Sequence, residues 1–390
     1  MARSKTLWTL ALGAAALAVA TAFLPARGKE PERQGPHQNV RVGLVFDVGG
    51  RGDKSFNDAA YEGVARASSE LGVAVELLEP TGAEDREAAM RLFAARGFDL
   101  VIGVGFIFST DINVVARAFP QTRFACIDYA PPMDGQVPAN VAGLTFREEE
   151  GSFLVGAVAG MLTKTKHVGF VGGMDIPLIH KFEAGYSAGV HAVCEACVVH
   201  TAYAGTTPEA FRDPVKGKAL AVAQISQGAD VLYHASGTTG HGVFEASRDM
   251  GVKAIGVDSD QYEEMPGVVV TSMIKRGDVA VFETVKAVAE GRFQGVRSFG
   301  LAEEGVGYVE RGPHAEAITD EIRERVGAFE ADPEGGDPGA FEVNALGVRT
   351  GCIQCGGRRR RVAHTGTRGP HENGPPTRKR LTTARRLFRG

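Results

Sequence analysis

Cysteine is scarce in this chain of 390 residues and arrives late: there are five, and the first is Cys126. An N-terminal cysteine for lipid attachment is therefore not available. The other four form two CxxC pairs, Cys194–Cys197 and Cys352–Cys355, whose separation is far longer than zinc-site spacing. No metal is expected. Also missing are a GxxxxGK[ST] phosphate loop, a GxSxG elbow and an HExxH pair. His180, His234 and His241 are scattered without ligand spacing. Nothing pairs a nucleophile with a base, so no cofactor is called for and binding is favoured over catalysis.

Charge of one sign is lacking overall, with a net charge of −4, but the average hides a division. Residues 351–390 carry eleven Arg and Lys against the single acid Glu372, which leaves residues 1–350 at −14. An acidic body makes nucleic acid an unsuitable partner. The basic, Gly- and Pro-rich segment 331–390 reads as a largely disordered tail.

One long uncharged run is present, Thr6–Leu24, after Arg3 and Lys5 and ending near the small-residue stretch ATA at 20–22. Basic start, apolar middle and small-residue site are the pattern of an export signal, and residues 1–24 are read as one. Near-spanning length leaves a retained anchor as the alternative. An exported chain meets oxidising conditions, where Cys194 and Cys197 suit a local disulfide.

Between residues 40 and 310 apolar, β-branched runs alternate with helical patterns. The runs at 40–46, 99–105, 122–128, 141–146, 167–173, 198–205, 230–236, 253–259 and 268–274 read as buried parallel strands. The helices lie near 56–71, 84–96, 109–118, 148–162, 182–193, 213–228, 240–250 and 277–290. This is an α/β pattern of doubly wound parallel sheets. Nine strands are many for one modest sheet, so two lobes with a cleft between them are expected. The charged stretch FREEEGSFLVG, 146–156, is the crossing point.

Ligands of open parallel sheets sit beyond the carboxyl ends of the strands. Three different runs place a carboxylate there: Asp47, Asp128 and Asp258. Each alone is most simply a helix N-cap; together they suit a polar small ligand with several donors. Ser55 and Asp58 fit a capping box that opens a helix with Phe56 and Asn57 in its first turn. Asn57 can read a base edge, and Phe56 is either a stacking face or the first core residue of its stripe. Phe182, expected to open a helix after a strand and turn, is either a facing ring from the second lobe or lobe packing. Gly237 and Lys275 end two further strands.

The stretches DVGGRGDKSFNDAAYEG, FREEEGSFLVGAVAG, VGFVGG, KFEAGYSAGV, GTTGHGVFEAS and IGVDSDQ, in this order, resemble the basic membrane protein family. These are substrate-binding components of ABC importers, among them purine-nucleoside receptors. The resemblance covers roughly 40–310 and implies the type I periplasmic binding protein fold, with two lobes, a three-segment hinge and an interlobe cleft. It divides the chain into lobe 1, 40–147 plus about 275–298, and lobe 2, 148–274 plus about 299–330. It also implies a nucleoside site in which Phe56 and Phe182 sandwich the base. Asp47, Asn57 and Asp128 would bond the base edge. Asp258 and Lys275 would hold the ribose, and Gly237 would allow close backbone approach. A membrane permease is the implied partner. Alternatives are another polar cargo such as a sugar, riboflavin or an autoinducer-like molecule, a ligand-sensing ectodomain, or a nucleoside hydrolase. Two departures stand out: members are commonly lipoproteins, and the basic tail with CIQC has no counterpart.

Overall fold

A computed structural model describes residues 37, 39–80 and 85–331, all within one unit, Met1–Arg349. The export-signal and tail assignments, and the second CxxC pair, fall outside the described residues. Twelve strands and nine α-helices form two six-stranded sheets among those described.

The first sheet holds β1 (Arg41–Val45), β2 (Ala74–Leu78), β3 (Leu100–Gly103), β4 (Arg123–Ile127), β5 (Val141–Phe146) and β11 (Arg297–Phe299). The second holds β6 (His167–Met174), β7 (Val198–Gly205), β8 (Val231–Ala235), β9 (Lys253–Asp258), β10 (Val269–Lys275) and β12 (Val306–Tyr308). Their orders match: β2-β1-β3-β4-β5-β11 and β7-β6-β8-β9-β10-β12. Every pairing is parallel except β10 with β12. The two lobes are thus built on one plan, and the strand ends of one have counterparts in the other.

The helices are α1 (Phe56–Leu71), α2 (Asp85–Ala95), α3 (Ser109–Ala118), α4 (Glu148–Leu162), α5 (Pro177–Val193), α6 (Pro214–Ser226), α7 (Gly240–Met250), α8 (Gly277–Ala289) and α9 (Asp320–Ala331). Central strands are apolar on both faces because helices cover both, as parallel sheets require; Leu44, Ile102 and Ile255 are fully buried. Helices α4 and α5 approach so closely that a Cβ on Gly189 would stand 2.0 Å from the carbonyl oxygen of Phe153. No described helix is long and apolar enough to cross a membrane. Cys194 and Cys197 are joined as a disulfide at the end of α5, with Cα atoms 5.4 Å apart.

The chain passes between the sheets three times: after β5, after β10 and after β11. The crossings are hydrogen-bonded side by side, Arg147 N to Phe299 O at 2.9 Å and Arg276 N to Gly305 O at 2.8 Å. Arg147 also pairs with Glu150 and Glu303, both at 2.5 Å. These strands make the three-segment hinge of the type I fold.

Four elements were not expected from the sequence. Strand β2 is a sheet edge with exposed and half-buried positions, so it lacks a continuous apolar run. Strands β11 and β12 have three residues each. Helix α9 buries only Ile322 and Val326. Helix α5 also begins at Pro177 rather than at Phe182: proline is well placed in a first helical turn.

Candidate functional site

A cavity of about 590 Å³ lies where the carboxyl ends of the two sheets meet, and all eight residues singled out above line it. Strand β1 delivers Asp47, β4 delivers Asp128, β9 ends in Asp258 and β10 in Lys275. Phe56 is the first residue of α1, and Phe182 sits on the buried side of α5, in its second turn.

The turn after β1 is organised differently from the capping box expected there. Ser55 makes no capping bond. Asp53, almost fully buried, accepts instead from the backbone N–H groups of Asn57 at 2.8 Å and Asp58 at 3.1 Å. Asp58 accepts from Gly52 N and Lys54 N on the loop side. Ser55 is thereby free to donate to the Asp258 carboxylate of the other lobe, a short bond. A D-x-S pattern offers two candidate caps; the carboxylate, able to take several donors at once, wins.

Asp47 and Asn57 form one polar unit. Asn57 Nδ2 donates to Asp47 Oδ1 at 2.7 Å and to Asp53 Oδ2 at 3.0 Å, and Gly49 N donates to Asp47 Oδ1 at 2.8 Å. Burial pushes Asp47 up to about 6, against these bonds, with Asp53 and Asp128 adding repulsion. Behind it, Gly105 has φ +103°, and a Cβ there would stand 3.5 Å from the ring of Phe56 and 3.4 Å from Asp47. A side chain at Gly105 would therefore be strained by the backbone, while meeting its neighbours only at ordinary contact distance. Gly237, in the corresponding turn after β8, has φ +55° and lies against the Phe211 carbonyl.

Lys275 is 3% exposed and carries the electrostatics of the cavity floor. Its Nζ lies 2.6 and 2.8 Å from the two carboxylate oxygens of Asp128 and 3.2 Å from Glu148. It is 5.1 Å from the ring centre of Phe56, 5.5 Å from that of Phe182 and 5.0 Å from that of Phe146, within cation–π range of all three. Burial opposes its charge, but Asp128, Glu148 and Asp258 outweigh that and hold its pKa above the usual lysine value. Glu148 pairs with Lys181 as well, whose Nζ is 2.5 Å away. Burial works against the Glu148 charge too, yet two ammonium groups keep its pKa low. Asp128 holds only the shared lysine; burial pushes its pKa up, Lys275 opposes, and the Glu148 charge adds. Burial likewise pushes Asp258 up to about 6.

Asp53, Glu148, Lys181, Phe146 and Phe211 belong to this arrangement and were not singled out from the sequence. Glu148 stood in the charged crossing FREEEG, where three adjacent acids give no sign of which one turns inward. His234 lies beneath the cavity, fully buried and pushed down to about 3 chiefly by that burial. Gln261 Oε1 already accepts from Val257 N at 2.8 Å, so His234 Nε2, 3.1 Å away, is the donor of their bond. Among the described residues no group of three or more metal-ligating side chains occurs.

The arrangement offers four carboxylates, an amide, one paired ammonium and four phenylalanine rings around a single cavity. It suits an uncharged ligand with N–H or O–H donors and a flat apolar part.

Residues 40–326 match the Bmp model, ABC transporter substrate-binding protein PnrA-like. An uncharacterized lipoprotein of Pyrococcus horikoshii is 36% identical, over 72% of this chain and 71% of its own length. The ABC transporter nucleoside-binding protein BmpA of Lactococcus lactis is 30% identical, over 66% of this chain and 77% of its own. A crystal structure of an ABC transporter system solute-binding protein from Aeropyrum pernix superposes with a TM-score of 0.70 at 31% identity, covering 76% of this chain and 92% of that one. The chain belongs to the Bmp family of ABC transporter substrate-binding proteins.

Proposed function

We propose that this member of the Bmp family captures a purine nucleoside in the cavity between its lobes and delivers it to an ABC permease. The base would lie between Phe56 and Phe182, its edge bonded by Asp47, Asn57 and Asp128. Asp258 and Lys275 would hold the ribose hydroxyls, with the backbone at Gly237 coming close. The observation that carries this reading is the placement of Lys275 Nζ within 5.5 Å of both ring centres, in one cavity with all three carboxylates. A flat ring system would stack on either face, and each carboxylate can accept from a base N–H or a sugar O–H.

A relative named for nucleoside binding supports the same cargo. Closure of the lobes about the crossings at 146–148, 275–277 and 299–305 would bury the ligand and create the form a permease recognises. We place the protein in the cell envelope, in keeping with the N-terminal sequence and the lipoprotein relative. Thermal-shift titration with purine and pyrimidine nucleosides, free bases, ribose, myo-inositol and riboflavin tests the cargo. A purine nucleoside should raise Tm progressively with concentration, and ribose or a free base alone should raise it far less. A sugar, inositol or riboflavin giving the largest rise would overturn the reading.

A further inference from the structure

A second cavity, of about 770 Å³, adjoins the first and shares Phe106, Asp128 and Leu178 with it. Ala130 and Thr145 line one side, Ile176, Pro177 and Lys181 the other, so its walls come from both sheets' connections. The ion chain Asp128–Lys275–Glu148–Lys181 runs from the inner cavity to the outer one. Asp258, Lys275 and Gly237 line only the inner cavity, whereas Asp128 stands at the junction. The outer space therefore opens beside the carboxylate placed to read the base, whereas Asp258 and Gly237, two of the groups placed around the sugar, face the inner cavity.

We propose that the outer cavity is a subsite for a substituent on the base, so that the protein takes purine nucleosides modified on an exocyclic amine. This rests on the nucleoside reading above. A singly substituted amine keeps one N–H, which Asp128 can accept, while its substituent passes Phe106 and Leu178 into the outer space. Phe146, Ile176, Pro177 and the stem of Lys181 give that space an apolar surface suited to an alkyl or aryl group. A substituent at the ribose 5′ oxygen has no such outlet beside Asp258 and Gly237, which do not line the outer cavity.

The test is calorimetric titration with three probes: adenosine, adenosine benzylated on its exocyclic amine, and adenosine benzylated on its 5′ oxygen. The amine-substituted probe should bind within about threefold of adenosine, and the 5′-substituted probe at least about tenfold more weakly. Ala130→Trp, at an exposed position of the outer cavity only, should weaken the amine-substituted probe about tenfold or more and leave adenosine unchanged. Unchanged adenosine binding also shows that the variant is folded; Thr145→Phe applies the same block from β5 if it is not. Equal losses for both benzylated probes, or no selective effect of the block, would overturn the subsite. Failure of adenosine and every other plain nucleoside to bind would instead overturn the nucleoside reading, and the subsite with it.

Discussion

Asp128 and Asp258 make the same backbone turn in the two lobes: one follows β4, the other ends β9, and both have left-handed φ, +57° and +66°. The sheet orders make these strands counterparts. Aspartate tolerates that region better than most residues, and side chains held in it cluster at functional sites. The turn aims each carboxylate across the strand end into the shared cavity rather than onto the following segment.

A comparison of Asp258→Gly with Asp258→Ala isolates the backbone contribution, because both remove the carboxylate. Glycine accepts φ +66° without a Cβ clash, so its variant should be about 1 kcal/mol more stable to denaturant than the alanine variant. Equal stability of the two would show that the turn relaxes and stores nothing.

Phe182→Ala should weaken purine nucleoside binding at least about tenfold while the protein stays folded, since a stacked base contributes roughly 1–3 kcal/mol. Phe182 is only 3% exposed, so a clear fall in Tm, reflecting about 3–5 kcal/mol of lost stability, accompanies the change. An unaltered calorimetric titration would remove the ring from the site.

Asp128→Ala should impair purine binding more than ribose binding. The readout is the ratio of the two affinities: unbalancing Lys275, which is placed on the ribose side, would lower ribose binding at least as much and so would not produce the expected change. Equal losses would contradict a base-reading carboxylate at this position.

Asp47 and Asp258 are both pushed up to about 6 from an ordinary 3.8, chiefly by burial. Between about pH 4 and 6 the folded protein therefore holds protons that the unfolded chain has released. Their contribution to stability is full below pH 4, is lost as pH rises through 6, and is level above. Ligand N–H and O–H donors favour the ionised carboxylates, so nucleoside affinity should rise from pH 5 to 7. Asp47→Asn should flatten both trends; a ligand-free Tm with no slope in this window would show these carboxyls to be unperturbed.

Much of this was legible in the sequence because central parallel strands are apolar on both faces and end in Gly or Asp. That regularity places Asp47, Asp128, Asp258 and Lys275 at one edge without any coordinates. Strand β2 was not legible: an edge strand reading AVELL buries only Ala74 and carries an exposed residue, so it looks like a connection. The choice between Asp53 and Ser55 as helix cap depended on Asp258 of the other lobe taking the Ser55 hydroxyl. The role of Glu148 depended on Lys275 and Lys181 arriving from distant parts of the chain. Neither meeting is written in local spacing.

Phosphate offers a sharper check on cavity charge. Among its described lining residues the one cation is Lys275, already paired with Asp128 and Glu148. A nucleoside 5′-monophosphate would bring charge among four carboxylates, and should bind at least about a hundredfold more weakly than its nucleoside at pH 7. Comparable affinities in a direct competition would mean that Lys275 is released to the ligand.

The most direct measurement is calorimetric titration of a purine nucleoside into the wild-type protein and into Phe56→Ala,Phe182→Ala, after unfolding and refolding to strip bound ligand. A one-to-one isotherm for the wild type, abolished or weakened about a hundredfold in the double variant with its fold intact, is expected if the base lies between the rings. Tight binding that survives loss of both rings would contradict it, as would the absence of heat with any purine nucleoside in the wild type.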